Sequence, residues 1–167
     1  MATPLHECTV AELKSTLTQG ELNALPRAVM GGAAKNGTEA EIAATVDAWL
    51  ADHLRRACDM VVASVNTCSK NPRILSGFFR VPTACAKSAL VLARHSILAS
   101  IPGSDLAGTL EGSTRATEYS TAIKQLEQIA ACELAVNDYA NSGDVAIDPT
   151  ARSGVFINAK HGNNWMI

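Results

Sequence analysis

Residues 38–65, TEAEIAATVDAWLADHLRRACDMVVASV, decide the fold of this chain. Thr38 and Glu41 have the spacing of a capping box, in which the hydroxyl and the carboxylate bond free backbone N–H groups at a helix start. Side chains suited to burial then recur every three or four positions, which is the period of one helix face. The stretch therefore predicts a long amphipathic helix over residues 39–65, with this stripe: Ile42, Val46, Trp49, Leu50, His53, Leu54, Ala57, Met60 and Val61.

Three further helices are predicted around this one. Thr9 and Glu12 form another capping box, which predicts a helix over residues 10–17. Pro82 suits the first turn of a helix. Periodic apolar residues follow it and recur further along the chain, so two more helices are predicted, over 83–100 and 114–138. The centres of the apolar stripes are predicted to form the core: Trp49, Leu54, Leu90, Leu126 and Ile129.

Gly, Asn and Pro mark the segments between the helices. Residues 21–25 predict a short helical turn that Pro26 ends, and residues 27–37 predict a loop. That loop lacks the GxxxxGK[ST] pattern of a phosphate-binding loop, and no strand precedes it. Residues 66–82 carry apolar side chains, which predicts a connection that packs rather than a disordered linker.

The composition favours one helical domain. The chain has 167 residues, of which 47% are hydrophobic but only 4% aromatic, so Ala, Leu, Val and Ile must do most of the packing. Ala and Leu are strong helix formers, and the length is that of one domain. We therefore expect an all-α fold, a small bundle of about four main helices. Its expected parts are a flexible leader (1–8), a helical bundle (9–140) and an extended C-terminal arm (141–167).

Charge and hydropathy argue against several classes of protein. The formal net charge is −2, whereas tight non-specific binding to nucleic acid needs a cationic surplus. No apolar run reaches the roughly 18 residues that a membrane span needs. The first ten residues have neither the basic nor the apolar region of a secretion signal. We therefore expect no membrane contact and no tight binding to DNA.

The sequence carries no recognisable motif for catalysis or metal binding. It has no nucleophile elbow, no glycine-rich phosphate fingerprint and no HExxH. The five cysteines include no CxxC pair, so we expect five reduced thiols and no bridge. His53 is expected to pack, and Ser96 beside His95 cannot form a dyad because adjacent helical side chains diverge. We expect no enzyme activity, no cofactor and no metal site.

The C-terminal segment differs in kind from the rest of the chain. Helical periodicity stops near residue 142, yet apolar and aromatic side chains persist. Buried aromatic anchors dominate many protein interfaces. We expect the arm to dock, and the sequence leaves open whether it docks on its own core or on another chain. The candidate contact residues are Arg152, Val155, Phe156, Ile157, Lys160, Trp165, Met166 and Ile167.

Four stretches, taken in order, resemble a family of tailed-phage structural proteins. Such proteins begin with a short helix, a Gly and an acidic-Leu turn, as in residues 9–25, TVAELKSTLTQGELNAL. A variable loop and a long helix follow, matched by residues 39–54, EAEIAATVDAWLADHL. A proline-started helix and an amphipathic helix come next, matched by PTACAKSALVLARH (82–95) and RATEYSTAIKQLEQIAACELAV (115–136). The family is that of head–tail connector proteins, also called adaptor or head-completion proteins, including those of Mu-like phages.

The resemblance implies a structural virion protein that acts in the neck, at the head–tail interface, after assembly in the host cytoplasm. Copies would form a ring of about twelve beneath the portal. The implied partners are the ring's own subunits, the portal protein, and a tail, stopper or tail-terminator protein. DNA would pass through the ring without specific binding, and the arm would reach the portal or a neighbouring subunit.

Two other interpretations stay open. The chain could be a helical regulatory or adaptor module of a bacterial cytosol, acting as a dimer. It could also be an enzyme of unrecognised type, which would need a polar pocket. The size of the purified protein distinguishes the first of these from a connector, because a dimer favours the module and a large ring favours the connector.

Overall fold

A computed structural model describes residues 5–31, 37–101, 113–134 and 136 of the chain. Two very short strands in it pair antiparallel, with His6 opposite Val81. Everything else regular is helical, which confirms the expected all-α fold. The elements are β1 (His6–Glu7), α1 (Val10–Ser15), α2 (Gln19–Met30), α3 (Glu39–Thr67), β2 (Arg80–Val81), a 3₁₀ turn (Thr83–Cys85), α4 (Ala86–Ala99) and α5 (Ser113–Ala130).

Helix α3 is the element around which the others pack. Its predicted capping box is present: Glu41 N–H donates to Thr38 Oγ1 at 3.3 Å, and Thr38 N–H donates to Glu41 Oε2 at 2.9 Å. The helix contacts α1, α2, α4 and α5. Its buried stripe holds Val46, Leu50, His53, Leu54, Ala57, Cys58, Val61, Val62 and Val65.

The core agrees largely with the sequence prediction. Leu54, Leu126 and Ile129 are buried, as predicted. Trp49 and Leu90 are only half-buried and pack against the edge of the core. The spacing of apolar residues therefore identifies the buried faces of the helices, but it does not predict how deeply each side chain on a face is buried.

Helix α2 is a correction to the sequence prediction. The segment does not end at Pro26 but continues to Met30, so residues 27–30 are helical rather than loop. Thr18 and Glu21 form a capping box that starts the helix, with Glu21 N–H donating to Thr18 Oγ1 at 3.3 Å. An interior proline costs a helix roughly 3 kcal/mol. Tertiary contacts offset that cost here, since Glu21 and Leu25 are both buried.

Helix α5 is shorter than its periodicity predicts, because it ends at Ala130 rather than near residue 138. Cys132 lies at φ 60°, in the left-handed region that closes helices. Glu133 N–H then donates to Gln128 O at 2.9 Å, the hydrogen bond that defines a Schellman motif. The backbone turn, rather than a loss of apolar residues, ends the helix.

The expectation of five unbridged thiols is wrong. Cys68 and Cys132 form a disulfide, with their Cα atoms 5.2 Å apart, while Cys8, Cys58 and Cys85 remain thiols. Cys68 caps the C-terminal end of α3, and Cys132 occupies the turn after α5. The two helix ends meet only in the folded chain, so a separation of 64 residues gave the sequence no signal for the pair.

The expectation of a flexible leader over residues 1–8 is wrong for its second half, while residues 1–4 lie outside the described residues. Leu5 and Cys8 are buried in the core. Cys8 N–H donates to Phe79 O at 2.7 Å beside the two-stranded pairing. A strand partner far along the chain, which periodicity cannot show, orders this segment.

The connection between α3 and α4 packs, as predicted. The side-chain amide of Asn66 accepts from Ile74 N–H and donates to Ile74 O, both at 2.8 Å. Gly77 takes φ +90°, and its N–H donates to Asp59 Oδ1 at 2.7 Å. These bonds hold the connection against α3, with Ile74 and Val81 buried.

Candidate interaction groove

None of the predicted contact residues of the C-terminal arm falls within the described residues. The arm is predicted over residues 141–167, and Val136 is the last residue that the structure describes. The candidate site therefore rests on the helical bundle. The residues outside the description are Arg152, Val155, Phe156, Ile157, Lys160, Trp165, Met166 and Ile167.

A groove of about 520 Å³ runs between α4 and α5. That volume falls within the range of sites that bind small molecules or buried side chains, about 300–1,000 Å³. Most of its lining surface is apolar, although polar and charged side chains also contribute to the lining. The lining residues are Ala84, Lys87, Ser88, Val91, Thr114, Thr117, Glu118, Thr121, Ala122 and Gln125.

Small side chains on both helices leave the space for this groove. Ala84 and Ser88 are four residues apart and share one face of the first turns of the α4 region, while Ala122 faces them from α5. Gln125 closes the groove at one end. Ser88 Oγ donates to Gln125 Oε1 at 2.5 Å, and Gln125 Nε2 donates to Ala84 O at 3.3 Å.

An ion pair fixes the opposite end of the α4–α5 contact. Arg94, late in α4, pairs closely with Glu118, early in α5, and also donates to Thr16 O at 3.4 Å. The hydrogen bond from Arg94 lowers the pKa of Glu118 below its ordinary value. The two helices therefore run antiparallel, and Lys87 shares the face of α4 that carries Arg94, as their spacing of seven predicts.

Arg115 and Glu21 tie α5 to α2. Arg115 Nη2 donates to Glu21 Oε2 at 3.0 Å, and its Nη1 contacts Glu21 Oε1. Glu21 is only 2% exposed, and this hydrogen bonding raises the pKa of Arg115. A bidentate guanidinium–carboxylate pair fixes orientation as well as distance. The first turn of α5, which carries Thr114 of the groove, is thereby held in place.

His95 and Tyr119 stack between the same two helices. Their ring centroids are 3.7 Å apart and their planes differ by 15°. Burial lowers the pKa of His95, which favours the neutral form of the stacked ring. The stack adds a second fixed contact next to the Arg94–Glu118 pair.

His53 packs, as expected, but it has a partner that sequence reasoning missed. Its Nδ1 lies 2.9 Å from Ser96 Oγ, and the ring meets the edge of Trp49 at 4.3 Å between centroids. Burial lowers the pKa of His53. Ser96 thus faces His53 on α3 rather than its neighbour His95. The contact joins α3 to α4 and, among the hydrogen bonds of the described residues, involves no carboxylate on the imidazole.

Two thiols meet inside the bundle. Cys8 and Cys58 are both buried, and their side chains are hydrogen-bonded. That hydrogen bond lowers the pKa of Cys8 and, together with burial, raises the pKa of Cys58. The pair joins the N-terminal strand region to the middle of α3.

The rest of the described surface carries little that points to chemistry. Within the described ranges, His, Cys, Asp and Glu form no cluster of three or more that could hold a metal ion. Across the same residues, each helix is too short or too polar to traverse a bilayer. The large exposed apolar side chains of this part of the chain are Met60, Phe78 and Leu134.

Comparison of the chain with protein-family models, with curated proteins and with solved structures gave no match. The groove is thus defined by geometry alone. Its signal in the sequence is the placement of small residues at 84, 88 and 122 and of threonines at 114, 117 and 121. Such a pattern can be recognised only once the pairing of α4 with α5 is known.

Proposed function

We propose that this chain is a subunit of a head–tail connector ring in a tailed phage. The observation that carries the proposal is the order of the helices. A short capped helix is followed by a helix through Gly-Glu-Leu, a long central helix, a helix after a proline, and an amphipathic helix. The resemblance stated above rests on this same order in the sequence, so the helical order supports it.

The proposal makes the chain a structural protein rather than an enzyme. Its partners are further copies of itself, the portal protein, and a tail, stopper or tail-terminator protein. The net charge of −2 supports a role in a DNA channel, because a conduit must let its cargo slide. A strongly basic lining would hold DNA by counterion release instead.

A ring of identical subunits needs two different complementary faces on each subunit. The α4–α5 groove is one concave face, lined by small and polar side chains. Phe78 and Met60, on the α3–β2 connection and on α3, are exposed apolar side chains outside that groove. Two distinct surfaces of this kind support a head-to-tail contact better than a two-fold one.

The disulfide favours a virion protein over a cytosolic adaptor module. Disulfides persist in oxidising surroundings, including virion surfaces, and are rare in proteins that remain in the reducing cytosol. Cys68 and Cys132 form such a bond. A phage particle leaves the cell, so its neck can hold a disulfide that a resident cytosolic protein would lose.

The test is the assembly state of the full-length protein. Purified protein, alone and mixed with the portal of the same phage, is examined by negative-stain microscopy and light scattering. The proposal expects rings of about twelve copies, formed alone or only on the portal. Antibody against the protein should label the neck of virions, with antibody against the major capsid protein as the control that labels heads. A stable dimer under every condition, with unlabelled necks, would support the cytosolic module instead.

A further inference from the structure

We propose that Cys8 and Cys58 form an oxidation site, at which hydrogen peroxide converts these two buried thiols into a second disulfide within the chain. The new bond joins the N-terminal segment to the middle of α3. The inference stands without the proposed function, since it concerns the folded subunit alone.

The two thiols already lie together in the fold, although they are 50 residues apart in the sequence. Their side chains are hydrogen-bonded to each other, and both belong to the same buried core. The backbone of Cys8 is also held in place, because its N–H donates to Phe79 O at 2.7 Å. An S–S bond of about 2.05 Å therefore needs the approach of two neighbouring sulfur atoms, rather than the meeting of two distant segments.

The hydrogen bond gives the two sulfur atoms different roles. It lowers the pKa of Cys8 and, together with burial, raises the pKa of Cys58, as expected where a Cys58 S–H donates to a Cys8 thiolate. The thiolate is the nucleophilic form of cysteine. Cys8 is therefore the sulfur that attacks the oxidant, and Cys58 is the sulfur that completes the disulfide.

Cys8 is also the sulfur that a small oxidant reaches first. It is 3% exposed, whereas Cys58 is fully buried. Cys8 follows β1, a strand of only two residues, whose pairing with β2 adds few hydrogen bonds to this segment. Local opening costs least where few backbone bonds and contacts resist it. Brief opening at residues 6–8 admits a molecule as small as hydrogen peroxide and leaves α3 in place.

The reaction balances with hydrogen peroxide as the oxidant. The Cys8 thiolate attacks one peroxide oxygen, the O–O bond breaks, and the departing hydroxide takes up the proton that Cys8 released. The product is a sulfenic acid, which condenses with a thiol to a disulfide. In that second step the Cys58 sulfur attacks the Cys8 sulfur, the S–O bond breaks, and the departing hydroxide takes the Cys58 proton. Two thiols and one peroxide thus give one disulfide and two waters.

The new bond gives α3 a second covalent attachment. Cys68, ten residues after Cys58, already joins the end of α3 to the turn after α5. Oxidation would attach the N-terminal segment to the same helix. Because a closed loop restricts the unfolded chain, the oxidised protein should unfold at a higher urea concentration than the untreated protein.

The test counts thiols in the full-length protein before and after oxidation. Folded protein receives a small excess of hydrogen peroxide, catalase ends the reaction, and N-ethylmaleimide then labels the remaining thiols under denaturing, non-reducing conditions. We expect three labelled cysteines in each chain before treatment and one after it, with the Cys8–Cys58 bond identified by peptide mapping. Cys85 is the internal comparison, because it is as deeply buried as Cys58 and should keep its label.

Two variants test the separate roles of the sulfur atoms. Cys58→Ser should leave a sulfenic acid on Cys8, which dimedone labels, and Cys8→Ser should keep Cys58 reduced after the same treatment. Three labelled thiols in the treated unmodified protein, or a mapped bond between any other pair, would overturn the inference. That measurement uses the natural chain, so it holds even if a variant does not fold. It is also independent of ring formation, on which the proposed function is judged.

Discussion

The guanidinium of Arg115 donates to both carboxylate oxygens of Glu21, a side chain 94 residues away in sequence and only 2% exposed. Glu21 also accepts from Thr18 N–H at 2.7 Å in the cap of α2. One carboxylate therefore serves a helix start and an ion pair between helices. Removing the Arg115 guanidinium would leave the negative charge of Glu21 inside the protein without this ion pair.

We expect Arg115→Met to lower the free energy of unfolding by about 3 kcal/mol. The loss follows from leaving the Glu21 carboxylate buried without its counter-charge, and the residual 20% exposure of Arg115 keeps it at the lower end of the usual range. Urea unfolding measures it. The control is Arg56→Met, whose ion pair with Asp52 is exposed and should matter little. Equal effects of the two substitutions would contradict the prediction.

We expect stability to fall as the pH drops below about 6.5. Burial lowers the pKa of both His53 and His95 in the folded protein. The unfolded chain therefore binds more protons at mildly acidic pH, and the free energy of unfolding decreases as the pH falls. His53→Gln should reduce this slope between pH 7 and pH 5, as measured by urea unfolding. Ser96→Ala, which removes the hydrogen bond but keeps the imidazole, should retain most of the slope. A slope unchanged in His53→Gln would contradict this explanation.

Local signals in the sequence predicted the helices, and contacts between distant residues account for the errors. The capping box at Thr38 and the stripe of α3 are properties of neighbouring residues, so they could be read directly. Pro26 was misleading because a helix breaker acts locally, whereas tertiary contacts hold α2 together. The Cys68–Cys132 bond depends on where two helix ends meet, which one sequence does not show.

The groove was beyond sequence reasoning for the same reason. Lys87 and Arg94 lie seven residues apart, a spacing that puts them on one face of a helix, but the spacing does not identify the helix that this face contacts. Ser96 was compared with its chain neighbour His95, although its partner is His53 on another helix. The spacing of apolar residues identifies the face of a helix that is buried, but it does not identify the element that packs against this face.

Under denaturing, non-reducing conditions we expect three titratable thiols, since two of the five cysteines form the disulfide. We expect Cys68→Ser with Cys132→Ser to lower the free energy of unfolding by about 2–4 kcal/mol. Closing a loop of this length restricts the unfolded chain, and the bond also holds the turn after α5. Urea unfolding with and without reductant measures the loss. The double variant should be insensitive to reductant, and a count of five thiols in the unmodified protein would refute the bond.

We expect Leu126→Ala to lower the free energy of unfolding by about 2–5 kcal/mol. Leu126 is 5% exposed in the core, so truncation leaves a cavity. Leu134→Ala is the matched control, because Leu134 is 39% exposed. Its effect should stay below about 0.5 kcal/mol, the usual range for surface changes. A loss below about 0.5 kcal/mol in Leu126→Ala, measured by urea unfolding, would show that Leu126 is not a core residue.

Deleting residues 150–167 should separate folding from assembly. All the described helices end by Ala130, and Val136 is the last core residue of the described part of the chain, so we expect the truncated protein to keep the helicity of the full chain by circular dichroism. It should also lose ring formation or portal binding, because Phe156 and Trp165 are removed with the segment. Buried aromatic anchors carry much of the energy of an interface.

The control for the deletion is the full-length chain with Arg152→Gln and Lys160→Gln, which keeps both aromatic residues and removes two positive charges. If this control fails to assemble while Phe156→Ala with Trp165→Ala still assembles, charge rather than apolar burial holds the partner. If the truncated protein unfolds, the arm is part of the core and its role in docking on a partner is refuted.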